Sequence, residues 1–481
     1  MLLSQVIKTP REMEITGITA DSRRVRPGYL FAALPGSKAD GAKFIQDAIM
    51  HGADAILAQK GTVLPEGTHA VLLTVDNPRK ELARIAATFY DHQPEMIVAV
   101  TGTSGKTSTV SFTHQLWQLA GIMQSASLGT LGVRAPGMIR SGSLTTPDTV
   151  SLHAELADLA AAGVTHLAME ASSHGLDQYR LDGVHISAAA YTNLSRDHLD
   201  YHASMDEYFA AKSRLFSDVM KARGTAVLNA NDDYFDKLES LCKARGHRVI
   251  SFGDKAGDIC IQRRTPCPSG QHVVLSVMGK TYEATVPLVG SFQIMNALCA
   301  LGLVMADNDD IDALVPLLEK LQGVPGRLQL IPGHPEGAAI YVDYAHKPGA
   351  VEAVLNTLRP HTEGKMVCVL GCGGNRDAGK RPIMGRIASG LADVVIVTDD
   401  NPRDEDPEEI RAAIMEGAPD AIEIGDRRKA IEYAVEQLHK GDVLVIAGKG
   451  HEQGQIIGGR TEPFDDADIA LKSIKRLTIE V

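Results

Sequence analysis

The chain has 481 residues, 44% hydrophobic and 22% charged, the make-up of an ordinary soluble protein with room for about two to four domains. Asp and Glu number 60 against 48 Lys and Arg, a net charge of −12, which excludes the electrostatic footprint of a nucleic-acid backbone binder; a phosphorylated ligand must be held by local groups. No apolar run approaches the roughly 18 residues of a membrane span, and MLLSQVIKTPREME lacks the apolar core of a signal peptide, so a cytoplasmic protein without membrane or nucleic-acid partners is expected.

The opening segment alternates short apolar runs with helical periodicity: GYLFAAL, FIQDAIMHGA, AILAQ and AVLLTV read as pieces of an α/β unit. It runs into TVDNPRKEL, where Asn77 suits a helix cap and Pro78 a first helical position, leaving Arg79 as plain architecture. DHQPEM, residues 91–96, is a linker with a proline breaker. Next, MIVAVTGTSGKTSTVSFTHQLW reads as buried strand, Gly-rich turn and helix. The strands HLAME (166–170), ISAAAYTN (186–193) and TAVLNA (225–230) follow, each ending in polar residues. This is the pattern of a doubly wound parallel sheet, whose ligands gather at the carboxyl ends of strands. A Pro- and Gly-rich stretch at 321–346 marks a boundary near 326, after which KMVCVLG, VVIVTD and DVLVIAG supply buried strands of a third unit. The expected fold is α/β in three domains, 1–92, 93–326 and 327–481. The six cysteines, at 242, 260, 267, 299, 368 and 372, form no disulfide framework and read as reduced thiols; Cys368 and Cys372 read as strand-end residues.

TGTSGKTS (101–108) places glycines where backbone N–H groups can approach phosphate oxygens, with Lys106 as a positive charge and Thr107 as a hydroxyl for Mg²⁺. Val100 occupies the first Gly position of the full P-loop spacing, so the shorter G-T-x-G-K-T form remains. Glu170 ends HLAME and offers a hard oxygen ligand at the same sheet edge. EASSHGLDQYR and NLSRDHLDYH add polar clusters on further strand ends, with Ser172, Ser173, His174, Gln178, Arg180, Asp197, His198 and Asp200. In the amphipathic stretch MDEYFAAKSRLF, Lys212 reads by itself as a solvated helix lysine. The tetrapeptide DNPR recurs at 400–403, and a strand-to-helix start explains its Asp400, Asn401 and Pro402 and the acids after it, but not Arg403, which a helix N-terminus disfavours.

TGTSGKTS, TTPDT, EASSHGL, TNLSRDHLDYH, YFAAKSRLF, PGR (325–327), DYAHKP, GCGGNRDAGKR, DNPR (400–403) and GKGHE occur in that order after DSRRVRPGYLFAALPG. This ordered set resembles the Mur ligase family over essentially the whole chain. The resemblance implies an N-terminal domain for a UDP-linked substrate, a central P-loop domain for ATP, and a C-terminal Rossmann-like domain for an incoming amino acid. It implies an ATP-dependent amide ligase adding meso-2,6-diaminopimelate to UDP-N-acetylmuramoyl-L-alanyl-D-glutamate through an acyl phosphate, in peptidoglycan synthesis. A monomer acting on small molecules is expected.

By the same resemblance, Gly102, Thr103, Ser104, Gly105, Lys106, Thr107 and Ser108 bind ATP phosphates, Asn296 contacts adenine, and Arg327, Asp343 and His346 reach ribose and phosphates. Lys106, His198 and Lys212 serve catalysis; Thr107, Glu170, His198 and a Lys212 carbamate, formed with CO₂, hold Mg²⁺. Ser22, Thr145, Thr146, Ser172, Gln178 and Arg180 take the UDP substrate. Arg376, Asp400, Asn401, Pro402, Arg403, Gly448 and Glu452 form the diaminopimelate pocket, with Arg403 on the distal carboxylate and Glu452 on the distal ammonium. The chain departs from the family at Gln293 and Asn375, where Asn and Asp are more usual. Three other readings remain: an L-lysine-adding ligase, a ligase with another substrate such as folylpolyglutamate synthetase, and a nucleotide-gated binding protein that has dropped ligation.

Overall fold

The computed structural model describes residues 1–9, 12–36, 40–142, 144–197, 201–255, 257–267 and 270–479. The chain is α/β and divides into two compact units. The first takes Met1–Cys260, Ser276–Lys280 and Asn296–Leu317; the second takes Ile261–Leu275, Thr281–Met295 and Leu318–Val481.

In the first unit, β1 (Gly17–Thr19), β2 (Tyr29–Ala32), β3 (Ala53–Gln59) and β4 (Val71–Val75) form a parallel sheet in sequence order. Its apolar face closes over Leu3, Ile15, Leu82 and Ile85. Asn77 caps the helix Pro78–Tyr90 by accepting from Lys80 N at 3.1 Å, as the sequence indicates.

The larger sheet of this unit runs β8 (Met138–Arg140), β7 (Gly132–Ala135), β6 (Ser125–Gly129), β9 (His166–Glu170), β5 (Met96–Thr101), β10 (Ile186–Tyr191), β11 (Thr225–Asn229), β12 (Arg248–Gly253). From β6 to β12 it is parallel, and β7 and β8 are an antiparallel extension. β5 is central, with Val100 opposite Glu170 on one side and Ala190 on the other. Residues 97–101 are all buried, as expected of a parallel strand covered on both faces. The register brings the ends of β5, β9 and β10 to one edge, where the polar clusters lie. β13 (Ile259–Cys267) starts beside β12 at Ile259 and Cys260 and runs on into residues of the second unit, where β14 (Gly270–Val277) and then β15 (Lys280–Val286) follow it.

The second unit is built on β16 (Gln329–Ile331), β17 (Ala339–Asp343), β18 (Met366–Leu370), β19 (Val394–Val397), β20 (Ile422–Glu423) and β21 (Val443–Ala447), in the order β16-β17-β21-β18-β19-β20. Only β16 is antiparallel. Alternate residues enter opposite cores: Met366, Cys368 and Leu370 pack with helix residues Val351, Met384 and Ile410, whereas Val367 and Val369 pack with Ile431 and Ile469. Cys368 is thus a core strand residue; Cys372 lies just past the strand, its Sγ 3.7 Å from Met384 Sδ. A hairpin of β22 (Gly454–Ile457) and β23 (Arg460–Pro463) completes the unit.

Candidate active site

Two glycines shape the phosphate loop after β5. Gly102 has φ 148° and Gly105 φ 88°; a Cβ on the first would strike Thr192 Oγ1, and on the second Asn296 Oδ1. Residues after β10 brace the turn: Thr103 N donates to Asn193 O at 2.8 Å, and Ser104 N to Asn193 Oδ1 at 3.0 Å. Gly105 precedes the helix Lys106–Leu119 and offers no side-chain cap, so the helix N-terminus is built to receive an anion. Lys106 Nζ donates to Gly102 O at 2.8 Å and Thr103 O at 3.0 Å.

Beside this loop Glu170 is buried and multiply bonded. Its Oε2 accepts from Thr107 Oγ1 and Thr130 Oγ1, each at 3.2 Å, and its Oε1 accepts from Thr130 N at 2.7 Å. Gly129 is needed here, because a Cβ would collide with the carboxylate. Carboxylate and hydroxyl oxygens around one point are the hard donor set Mg²⁺ takes, so these residues fit the ion. His198 lies outside the described residues, as does Asp200.

Lys212 corrects the simple reading of its helix. It is 1% exposed rather than solvated, because Tyr208, Ala211 and Lys212 lie on the buried face of Met205–Arg214. Its Nζ donates to Gly102 O at 2.8 Å and sits 4.4 Å from the centre of the Tyr208 ring. The Tyr208 hydroxyl is 3.2 Å from Thr103 Oγ1. Burial first, and the Lys106 charge second, push the Lys212 amine well below its ordinary pKa, with Asp197 opposing.

A third cluster follows β9. Thr146 Oγ1 donates to Glu170 O at 3.0 Å and accepts from Ser172 N at 3.0 Å. Arg180 donates to Thr146 O and to Gln178 Oε1, both at 2.8 Å, and Gln178 donates to the Tyr201 hydroxyl at 3.2 Å. Desolvation lowers the Arg180 pKa; Asp148 opposes this and Arg79 adds to it. Thr145 Oγ1 is 3.1 Å from Thr130 Oγ1, which ties this cluster to the Glu170 site. Ser22 is buried in the short helical turn Ser22–Arg24, whose neighbours Asp21, Arg23 and Arg24 line a cavity of about 820 Å³ together with Tyr29 and Asp148. Another cavity, about 560 Å³, lies along Pro78–Tyr90 and holds none of the expected site residues.

In the second unit, Asp343 ends β17 and accepts from Leu328 N at 2.8 Å. Burial raises its pKa to about 6, with Arg327 opposing. Arg327 sits 4.8 Å from the Tyr344 ring, and His346 contacts Tyr344 O at 2.8 Å. Gln293 donates to Arg327 O at 3.0 Å, so the longer amide is used locally.

The segment 400–403 overturns the helix-start reading. The next helix begins only at Pro407, with Asp406 as its cap. Arg403 is left-handed, φ 56°; its N–H donates to Ile456 O at 2.9 Å and its carbonyl accepts from Gly458 N at 2.7 Å. Its side chain donates to Gly374 O at 2.8 Å. Asn401 donates to Glu452 Oε2 at 2.9 Å. Gly448 has φ 120°, and a Cβ there would lie 3.2 Å from Asp400 Oδ2. Asn375, left-handed at φ 53°, accepts from Asp404 N at 3.1 Å, and its neighbour Arg376 is exposed. Asp400, Asn401, Arg403, Gly448 and Glu452 are therefore brought together. Thr130, Tyr208 and Lys449 escaped the sequence reading. Only Tyr208 left a signal, four residues before Lys212 on the same helix face.

Profiles of one family match the chain in three parts: the "Mur ligase family, catalytic domain" over 14–90, the "Mur ligase middle domain" over 100–304, and the "Mur ligase, glutamate ligase domain" over 326–450. The UDP-N-acetylmuramoyl-L-alanyl-D-glutamate–2,6-diaminopimelate ligase of Rhizobium meliloti (strain 1021) is 53% identical over 454 residues, covering 94% of this chain and 93% of that one. The ligase of the same name from Brucella melitensis biotype 1 (strain ATCC 23456) is 53% identical over 467 residues, covering 97% and 95%. A solved structure, also of a UDP-N-acetylmuramoyl-L-alanyl-D-glutamate–2,6-diaminopimelate ligase, superposes with a TM-score of 0.74 at 33% identity, covering 99% of both chains.

Proposed function

Because this chain belongs to the Mur ligase family, we infer that it is an ATP-dependent amide ligase adding meso-2,6-diaminopimelate to UDP-N-acetylmuramoyl-L-alanyl-D-glutamate in peptidoglycan precursor synthesis. The observation that carries the reading is 53% identity to ligases of that activity over nearly the whole chain.

The reaction joins two poor partners. The substrate's terminal carboxylate attacks the γ-phosphorus of ATP; ADP leaves, and the carboxylate becomes an acyl phosphate. The amine of the amino acid then attacks that carbonyl carbon, a tetrahedral intermediate forms, phosphate departs, and the amine gives up its proton. Two anions repel in the first step, so positive charge and fixed geometry are the main tasks of the site. Lys106 is held on loop carbonyls 2.8 and 3.0 Å away and would exchange them for phosphate oxygens. Thr107 and Glu170 would hold one Mg²⁺, which neutralises phosphate charge when bound; His198 and a carbamate on Lys212 would hold a second. Burial favours the neutral form of the Lys212 amine, the form that adds CO₂ and loses a proton to become an anionic oxygen ligand. Gly102–Ser108 take phosphates and Asn296 the adenine, while Ser22, Thr145, Thr146, Ser172, Gln178 and Arg180 take the UDP substrate.

We assign Arg403 to the distal carboxylate of diaminopimelate and Glu452, oriented by Asn401, to its distal ammonium. Lysine lacks that carboxylate and would leave the guanidinium unpaired beside an ammonium, so a preference for diaminopimelate of roughly a hundredfold is expected. We further propose domains at 1–92, 93–326 and 327–481, a monomer, and a cytoplasmic location; among the described residues no helix is long and apolar enough to cross a membrane. The test is ATP-dependent phosphate release with UDP-N-acetylmuramoyl-L-alanyl-D-glutamate and either amino acid. Turnover with diaminopimelate upholds the reading. A preference for lysine would reassign the pocket, and turnover with neither would overturn ligation.

A further inference from the structure

We propose that Lys449 is a positioning residue for the amino-acid site: its buried ammonium fixes the Asn401 amide so that Nδ2 faces Glu452, and it clamps the 400–403 segment against β22. The proposal rests on the pocket assignment above. Lys449 lies two residues past β21, after Gly448, and is 0% exposed. Its Nζ donates to Asn401 Oδ1 at 2.8 Å and to Gly454 O, the first carbonyl of β22, at 2.8 Å. Two carboxylates stand farther off, Asp400 at 3.3 Å and Glu452 at 3.6 Å.

An asparagine amide can usually be turned over, because its two ends are nearly the same shape. Here it cannot. Asn401 Oδ1 faces the Lys449 ammonium and, at 2.9 Å, the backbone N–H of Ile456. Both are donors only, so a turned amide would oppose N–H to N–H at both contacts. The amide nitrogen is thereby committed to Glu452 Oε2 at 2.9 Å. The same ammonium, through Gly454 O, holds the start of the strand whose Ile456 carbonyl receives Arg403 N. One buried cation thus sets the direction of both groups assigned to the distal end of the amino acid without reaching it. Removing it leaves Ile456 N as the one anchor of the Asn401 oxygen, which loosens the pocket rather than dismantling the fold.

A plain counter-ion to Asp400 would have the same burial, and the two roles predict different results. The experiment compares wild type, K449M, D400N, K449M/D400N, N401A and K449M/N401A by phosphate release, with KM read separately for diaminopimelate and ATP, and by thermal unfolding. The expected result is a rise of at least about tenfold in the diaminopimelate KM of K449M, with the ATP KM within about twofold. In K449M/D400N, which lacks the buried unpaired carboxylate, stability should return while the KM rise relative to D400N persists. Added to N401A, K449M should raise KM by clearly less than it does in the wild type, because part of its action passes through that amide and only the Gly454 contact remains. An unchanged diaminopimelate KM, a KM restored by D400N, an equal loss for ATP, or full additivity with N401A would each overturn the proposal. A wild-type protein inert toward diaminopimelate would instead bring down the functional reading on which it rests.

Discussion

Asp-Asn-Pro-Arg occurs at 76–79 and at 400–403, each time just beyond a parallel strand. In the first copy Asn77 accepts from Lys80 N at 3.1 Å, Pro78 opens a helix, and Arg79 reaches Pro35 O at 2.7 Å. In the second copy Asn401 gives its oxygen to Lys449 and Ile456, so it has none left for a cap, and the helix waits for Pro407. Arg403 then adopts a left-handed backbone that costs an arginine about 1–2 kcal/mol. Capping is a contest for one acceptor. At 77 the following turn wins, and at 401 tertiary donors win. The strain at Arg403 is offset by its backbone bonds to Ile456 and Gly458, which aim its side chain.

Substitutions at matched positions should separate the two copies. The largest effect is expected for Arg403→Ala: a rise in the diaminopimelate KM of about a hundredfold, with the ATP KM nearly unchanged, since it removes a charged pair contributing about 1.5–3 kcal/mol. Equal losses for both substrates would erase the distinction. Asn401→Ala comes next, at about tenfold in the same KM, because Glu452 loses its orienting donor and Lys449 its acceptor. Asn77→Ala should leave that KM alone and lower unfolding stability by about 1 kcal/mol in urea, the value of a helix cap. Arg79→Ala should be smallest, within about 0.5 kcal/mol of stability and without effect on the diaminopimelate KM. A KM change at either first-copy position would show that the copies are less separate than their geometry indicates.

The strands that position the site were legible because they are short, largely apolar and end in polar residues; β5, β9, β10, β18, β19 and β21 all stand where the sequence put them. Less legible were strands such as β13, which carries Arg263 and Arg264 in an exposed run, and the short hairpin of β22 and β23. The phosphate loop and Glu170 could be paired from strand ends alone, since register in a parallel sheet brings those ends together. The environment of Lys212 was written in its own helix, where Tyr208 and Ala211 mark the buried face. Lys449 was invisible, because its partners are one neighbour, a backbone carbonyl, and an asparagine far away in sequence. The second DNPR misled for the same reason: its capping signal is genuine, and the donors that defeat it are distant.

The interleaving of the two compact units bears on how the chain is made. Residues 261–275 and 281–295 belong to the second unit, yet the bulk of that unit begins only at Leu318. A ribosome adding about 5–20 residues per second exposes these strands on the order of ten seconds before the chain is complete. In that interval the strands lack the rest of their unit, and any edge among them left uncovered is open to pairing with other chains. The exposed run Gln262–Pro266, with two arginines and a proline, carries the residues that discourage such pairing. A message truncated shortly after residue 295 would release these strands without the segment they belong with, and such products should depend on chaperones to stay in solution.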